Sequence, residues 1–420
     1  MIKLSKDLVD YLLFLVILFP ILLISGPFLA DLTVVFFSFF FLIKYFNFEF
    51  YKEGKVFLIL FTIFYLSINI SSFLSDHILL SLKSSLFYFR FIFFAFVIAI
   101  LIPQLEKKQR IIKYFNFIFQ SILLFFLVDS IYQFFNEENL FGMKAPPHLA
   151  TERVSSLFGE ELILGSFISK VMFIYLGFLH GQRNNNKNFL NIDYKILFTF
   201  IICLVIIFIS GDRSALVLAV LGTLSYFIIN LNLRSILITF LFMTFVFFVA
   251  IEKTDFKKRY VDLFNSIVIH KEIGNNIHHQ HFKTSYKMFK EKKLFGHGIK
   301  SFRNKCNLEK FKSGPRSCST HPHNYYLQIL SATGIITFLI ISGFFMFIIK
   351  ELFLIFKKKI IYGKINNKKN CYLISIFISI FPFATTGSFF NNWISITIYL
   401  SLGFLISEYK LIKYSSKKIN

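Results

Sequence analysis

Long apolar runs constrain this chain more than any other feature. Residues 9–25, 28–43, 56–74, 86–102, 111–135 and 162–180 form six in the first half; residues 194–210, 214–230, 235–251, 325–350, 371–387 and 393–407 form six more. A helix needs roughly 17 to 25 residues to cross hydrocarbon. Unpaired backbone is not tolerated in lipid, so every run is predicted to be helical. The expected fold class is all-α: a polytopic integral membrane protein with about twelve transmembrane helices, read as one membrane domain over residues 1–420. Pro20 and Pro27 mark where the first run should kink or end. That run lacks a small-residue cleavage site and leads straight into the second, so it reads as a spanning helix rather than a signal peptide.

Composition excludes the main soluble alternatives. With 55% hydrophobic and 16% charged residues, there is too little polar surface to cover a water-soluble core of this size. The 62 Phe residues read as lipid-facing filler. A net charge of +23 would suggest nucleic acid in a soluble chain. Here the Lys residues sit between apolar runs, so topology explains them and no nucleic-acid partner is expected.

The same charges orient the chain. With the N-terminus inside, the inner segments carry 24 Lys and Arg and the short outer loops carry 4. This bias predicts cytoplasmic N- and C-termini in a bacterial inner membrane. The long loop at residues 252–324 would then lie outside. It carries 16 basic residues, but long loops cross largely regardless of charge. Its length argues for function or disorder. Phe282, Tyr286, Phe289 and Lys293 have helical spacing, which suits a helix lying on membrane lipids or a solvated connector.

Several polar residues stand out against this background. Ser210-Gly211-Asp212-Arg213-Ser214 is the whole connection between the seventh and eighth runs, with Arg213 at the outer mouth. Its fork suits phosphate, and pairing with Asp212 is the bland alternative. Arg90 and Lys170 lie inside runs; they either snorkel to the interface or line a cavity for an anionic group. Arg153 precedes the sixth run, and Glu160 and Glu161 are expected to begin it. His321-Pro322-His323-Asn324 closes the long loop: a histidine can take a proton from a sugar hydroxyl, and Asn324 can cap the next helix. Cys306 and Cys318 enclose eleven residues. A disulfide is the favoured reading, with free thiols or a zinc site including His321 and His323 left open. Cys203 and Cys371 read as buried bystanders.

Taken together, Gly296-His297-Gly298, Cys306, Cys318 and the stretch from His321-Pro322-His323-Asn324 to Gly334-Ile335-Ile336 resemble the O-antigen ligase and polymerase superfamily. The ligase motif is His, then Asn, Ser or Gln, then nine residues, Gly, two residues, and Gly, Thr or Tyr. His323, Asn324, Gly334 and Thr337 meet it, and Arg213 matches the family's short-loop arginine. The resemblance is strongest over residues 210–337. Thr333 stands where many ligases have Glu, and His278-His279-Gln280-His281 stands where a second arginine is common.

The resemblance implies metal-independent glycosyl transfer without a cofactor. The donor would be an undecaprenyl-diphosphate-linked glycan. The acceptor would be lipid A-core for a ligase, or another lipid-linked glycan for a polymerase. Arg213, Arg153 and Lys170 would hold the diphosphate, with Arg213 stabilising the leaving group. His323, and second His321, would act as base or orient the acceptor. Asn324, Gly334 and Thr337 would be structural. A transporter is a third reading, but the matching interrupted helices and midplane charges it would need are not evident.

Overall fold

The apolar runs lie mostly on helices in the computed structural model, which describes residues 6–44, 49–50, 52–144, 153–181, 194–230, 233–251, 257, 276–363, 366–409 and 412–413. The helices are α1 (Lys6–Ile24), α2 (Pro27–Lys44), α3 (Lys52–Phe73), α4 (Ile78–Ser85), α5 (Phe89–Leu105), α6 (Gln109–Asn136), α7 (Leu164–Gly181), α8 (Tyr194–Ile209), α9 (Arg213–Asn230) and α10 (Leu233–Ile251). After the part of the long loop that lies outside the described residues come α11 (Ile277–Glu291), α12 (Phe302–Lys305), α13 (Tyr325–Tyr362), α14 (Asn367–Ser379) and α15 (Asn392–Tyr409). Six spans are long and apolar enough, by length and composition, to cross a membrane, and four shorter helices are also apolar. This is a multi-pass membrane protein. The all-α expectation has one small exception: β1 (Glu49–Phe50) pairs antiparallel with β2 (Ile412–Lys413).

Burial separates the bundle's centre from its rim. The span containing α7 is 78% buried, whereas that of α6 is 28% buried, so most of α6 is left for lipid. α5 packs between α2 and α15, and α7 between α8 and α14. Lipid tails are as apolar as Leu, so close packing and polar bonds must hold such helices together. Ser375 Oγ donates to Lys170 O at 3.0 Å and meets Ser401 Oγ at 2.9 Å. Ser67 meets Thr337 at 2.8 Å. Each interhelical bond of this kind contributes about 0.6 kcal/mol. At the end away from the long loop, Lys368 bridges Glu106 and Glu408, and Lys369 pairs with Glu351.

Helix ends explain two boundaries. Pro20 is accommodated inside α1, and the chain turns at Gly26, where φ is +116°. Pro27 then opens α2 at the first helical position, where its missing N–H costs nothing.

α13 is broken at Gly334 (φ 77°, ψ −170°). Residues 293–298 fill the break. The amides of His297 and Gly298 donate to the carbonyls of Ser331 and Ala332 at 3.0 and 2.8 Å, and Ile335 N donates to Lys293 O at 2.9 Å. Ser71 Oγ adds a bond to Ala332 O at 2.6 Å. A Cβ on Gly334 would lie 2.0 Å from Leu294 O, so both the conformation and the contact require glycine.

Two expectations need correction. The run at 371–387 does not stay helical: α14 ends at Ser379, and residues 380–391 form an irregular segment. Pro382 disfavours helix in the residue before it, and α13 supplies partners for the freed backbone. Glu160 and Glu161 do not begin α7, which starts at Leu164 after a turn centred on Ser156–Phe158. In α11 the buried face is Gln280, His281, Thr284, Ser285 and Met288, packed on α13. Tyr286 is exposed.

Candidate active site

The connection between α8 and α9 is built by its own small residues. Gly211 takes φ +68° at the end of α8. Asp212 caps α9, its Oδ1 accepting from Ala215 N at 3.1 Å. Ser210 Oγ accepts from Asp212 N at 3.2 Å. Arg213 therefore stands at the first position of α9. Asp212 Oδ2 lies 3.6 Å from Arg153 Nη2, which also donates to Leu162 O at 3.0 Å. Lys170, 5% exposed on α7, reaches the same region, its Nζ 5.8 Å from the Trp393 ring centre. Arg90 lies elsewhere, paired with Asp31 at 3.0 Å.

The segment before α13 supplies a different chemistry. Asn324 caps α13 by accepting from Leu327 N at 3.1 Å, and its Nδ2 donates to Pro382 O at 2.6 Å and Ala384 O at 3.3 Å. Gln328 continues the clamp, donating to Ser388 Oγ at 2.7 Å and accepting from Phe389 N at 2.8 Å. His323 adopts φ +57°, and its carbonyl accepts from Thr386 N at 2.9 Å. Ser214 at the start of α9 bonds to Thr385. The irregular segment thus links the arginine-bearing and histidine-bearing elements.

Three imidazoles gather around His323. Its ring centre lies 4.2 Å from that of His321, 5.2 Å from His281 and 5.4 Å from His278. Asn276 starts α11 by accepting from His278 N at 2.8 Å, which aims the first turn at the cluster. Burial, then the neighbouring imidazoles, hold His323 well below the ordinary range, at about 3. Burial also lowers His321, His281 and His278; the charge of Arg213 adds to the effect on His278. Neutral rings therefore face the pocket at pH 7. Among the described residues, no group of three or more His, Cys, Asp or Glu is arranged to hold a metal ion.

These groups line one cavity of about 1020 Å³. Arg153, Lys170, Arg213, His321 and His323 all reach its wall, with Asp212, Glu161, Tyr325 and residues of the 380–391 segment. Asn324, Gly334 and Thr337 are not in the lining and support it from behind. Cys306 and Cys318 are joined, with Cα atoms 5.0 Å apart, and lie outside the cavity. Cys203 and Cys371 are buried and free.

Sequence reasoning missed His278, Arg303 and residues 380–391 as pocket walls. His278 was visible only as part of a polar tetrad with no assigned role. Residues 380–391 were concealed by their apolar composition.

The fold and site define a multi-pass helical membrane protein whose interior opens into a basic, histidine-walled pocket at one end. Residues 198–342 match the O-antigen ligase family model, and the match supports the O-antigen ligase superfamily. The matched stretch carries Arg213, the loop histidines and the break at Gly334. No curated protein matches the chain.

Proposed function

We propose that this protein is a membrane glycosyltransferase that moves a glycan from undecaprenyl diphosphate to lipid A-core at the periplasmic face, as an O-antigen ligase. The reading rests on one observation: the cations Arg153, Lys170 and Arg213 share a cavity with His321 and His323. An acceptor hydroxyl attacks the anomeric carbon, the bond from that carbon to the diphosphate oxygen breaks, and the electron pair leaves with the diphosphate. The three cations are suited to the charge that develops there. Neutral His323 accepts the hydroxyl proton. Burial keeps it a weak base while the pocket is empty, and an anionic diphosphate alongside raises its proton affinity.

In this reading the chain crosses the inner membrane about twelve times with both termini cytoplasmic, supported by the 24-to-4 charge bias. A polymerase, with another lipid-linked glycan as acceptor, uses the same chemistry and is the alternative.

The test is transfer of a lipid-linked glycan in membranes, normalised to protein level. His323→Ala should lower it about a hundred- to ten-thousand-fold. Arg213→Lys keeps the charge but loses the bidentate fork, and should also impair transfer. Near-normal transfer by His323→Ala at equal abundance refutes the mechanism. A deletion strain separates the acceptors: unattached full-length lipid-linked polymer means ligase, and a single repeat unit on the core means polymerase.

A further inference from the structure

Three more cations gather on the rim of the pocket. Arg303 on α12 lines the cavity beside Thr320 and His321. Lys300 lies three residues earlier, half-buried, with its backbone at φ +65°. The loop carrying it is pinned to α4: Ser81 Oγ donates to Ile299 O at 2.8 Å, and a Cβ on Gly298 would lie 2.4 Å from Ser75. Lys83 stands on the same short helix, two residues beyond Ser81. Burial, then the charges of Arg303 and Lys83, push the Lys300 ammonium below its usual range.

Among the described residues, no ion pair joins any of these three cations to a carboxylate. Asp76, on the turn before α4, is already held by Lys292 and Lys305. Lys300, held at φ +65°, is repelled by the like charges of Arg303 and Lys83, and an anion relieves that repulsion. The surroundings of Lys83 indicate the direction of approach. Leu79 is 78% exposed and Phe87 56% exposed, so the rim is apolar on that side. Acyl chains can lie against such a surface while a charged head group meets Lys83.

We propose that Lys83, Lys300 and Arg303 form the binding track for the acceptor, a membrane-anchored glycolipid whose head group carries phosphate, and that this track delivers its glycan to the pocket beside His321. The proposal rests on the transfer reading above. It assigns the donor diphosphate and the acceptor phosphates to different sets of cations.

The experiment uses the full chain in lipid nanodiscs. The probes are rough lipopolysaccharide bearing its core phosphates and the same material after dephosphorylation. Lys83→Gln and Lys300→Asn are combined, since neither residue lines the cavity and Asn tolerates a positive φ. Acceptor binding is measured directly, and transfer kinetics are measured with a lipid-linked glycan as donor. Removing two charges should weaken binding of the phosphorylated probe, and raise its KM, about tenfold. The donor KM and the rate at saturating acceptor should stay unchanged. The wild-type protein should bind the dephosphorylated probe as weakly as the variant binds the phosphorylated one. Equal binding of both probes by the wild-type protein overturns the proposal, as does an unchanged acceptor affinity in the variant or an equal loss for both probes. If no transfer occurs at all, the glycosyl-transfer reading fails, and the binding measurement still decides the track.

Discussion

The amide of Thr386 donates to the carbonyl of His323 at 2.9 Å, so a residue from the break between α14 and α15 holds a histidine that precedes α13. His323 sits at φ +57°, a conformation that a non-glycine residue keeps only when its surroundings hold it there. Replacing Thr386 with Pro removes the N–H donor. One lost bond of about 1 kcal/mol and the altered backbone should reduce transfer roughly tenfold, with normal accumulation. Thr386→Ser keeps the amide and should remain near wild type. Equal activity of the two variants in the membrane assay would show that this bond does not position His323.

Asn324 does more than cap a helix. Its Oδ1 accepts from Leu327 N, while its Nδ2 serves the carbonyls of Pro382 and Ala384. Asn324→Ala loses all three bonds and should cost roughly 2–3 kcal/mol. Asn324→Asp retains the capping acceptor but cannot donate, and should fall between the two. Thermal unfolding in detergent gives the order. If Asp matches Asn, the clamp on residues 382–384 adds nothing to stability.

Gly334→Ala places a methyl group where only 2.0 Å separates it from Leu294 O, at a backbone φ of +77°. The strain should exceed about 2 kcal/mol. Reduced accumulation in membranes, or protease sensitivity of the segment around residue 294, is the expected result. A variant as stable as wild type would mean that α13 closes into a continuous helix.

Acid should loosen the long loop. His278, His281, His297, His321 and His323 all bind protons more weakly when folded, with His297 at about 4 and His323 at about 3. For His297 the causes are burial and then the charge of Lys305. Below the ordinary histidine value of about 6.5 the unfolded loop takes up more protons than the folded one. The contribution to stability is therefore complete above that value and declines as pH falls toward the folded values. Hydrogen exchange over residues 276–324, corrected for intrinsic rates, should be faster at pH 5 than at pH 7.5 and unchanged between pH 7.5 and 8.5. Equal protection at pH 5 and 7.5 would contradict this.

Helix positions were legible in the sequence because length and composition alone dictate them in lipid. The start of α9 was nearly so: Gly211 and Asp212 carry their roles in their identities. Residues 380–387 were hidden because Phe381 and Phe383 look like spanning helix, while the side chain that satisfies the carbonyls of Pro382 and Ala384, that of Asn324, lies more than fifty positions away. The pairing of Arg153 with Asp212 was likewise a matter of tertiary placement, since α7 and α8 separate the two residues in sequence. One pocket histidine, His278, comes from α11, where polarity gives no hint of which face is buried.

The break in α13 also bears on the order of assembly. Until residues 293–298 dock, the carbonyls of Ser331 and Ala332 and the amide of Ile335 lack the partners seen in the finished protein, and hydrocarbon offers none. The residues that complete them are synthesised about forty positions earlier, so they are already made when α13 leaves the ribosome. Closing α13 and seating the loop are therefore one event.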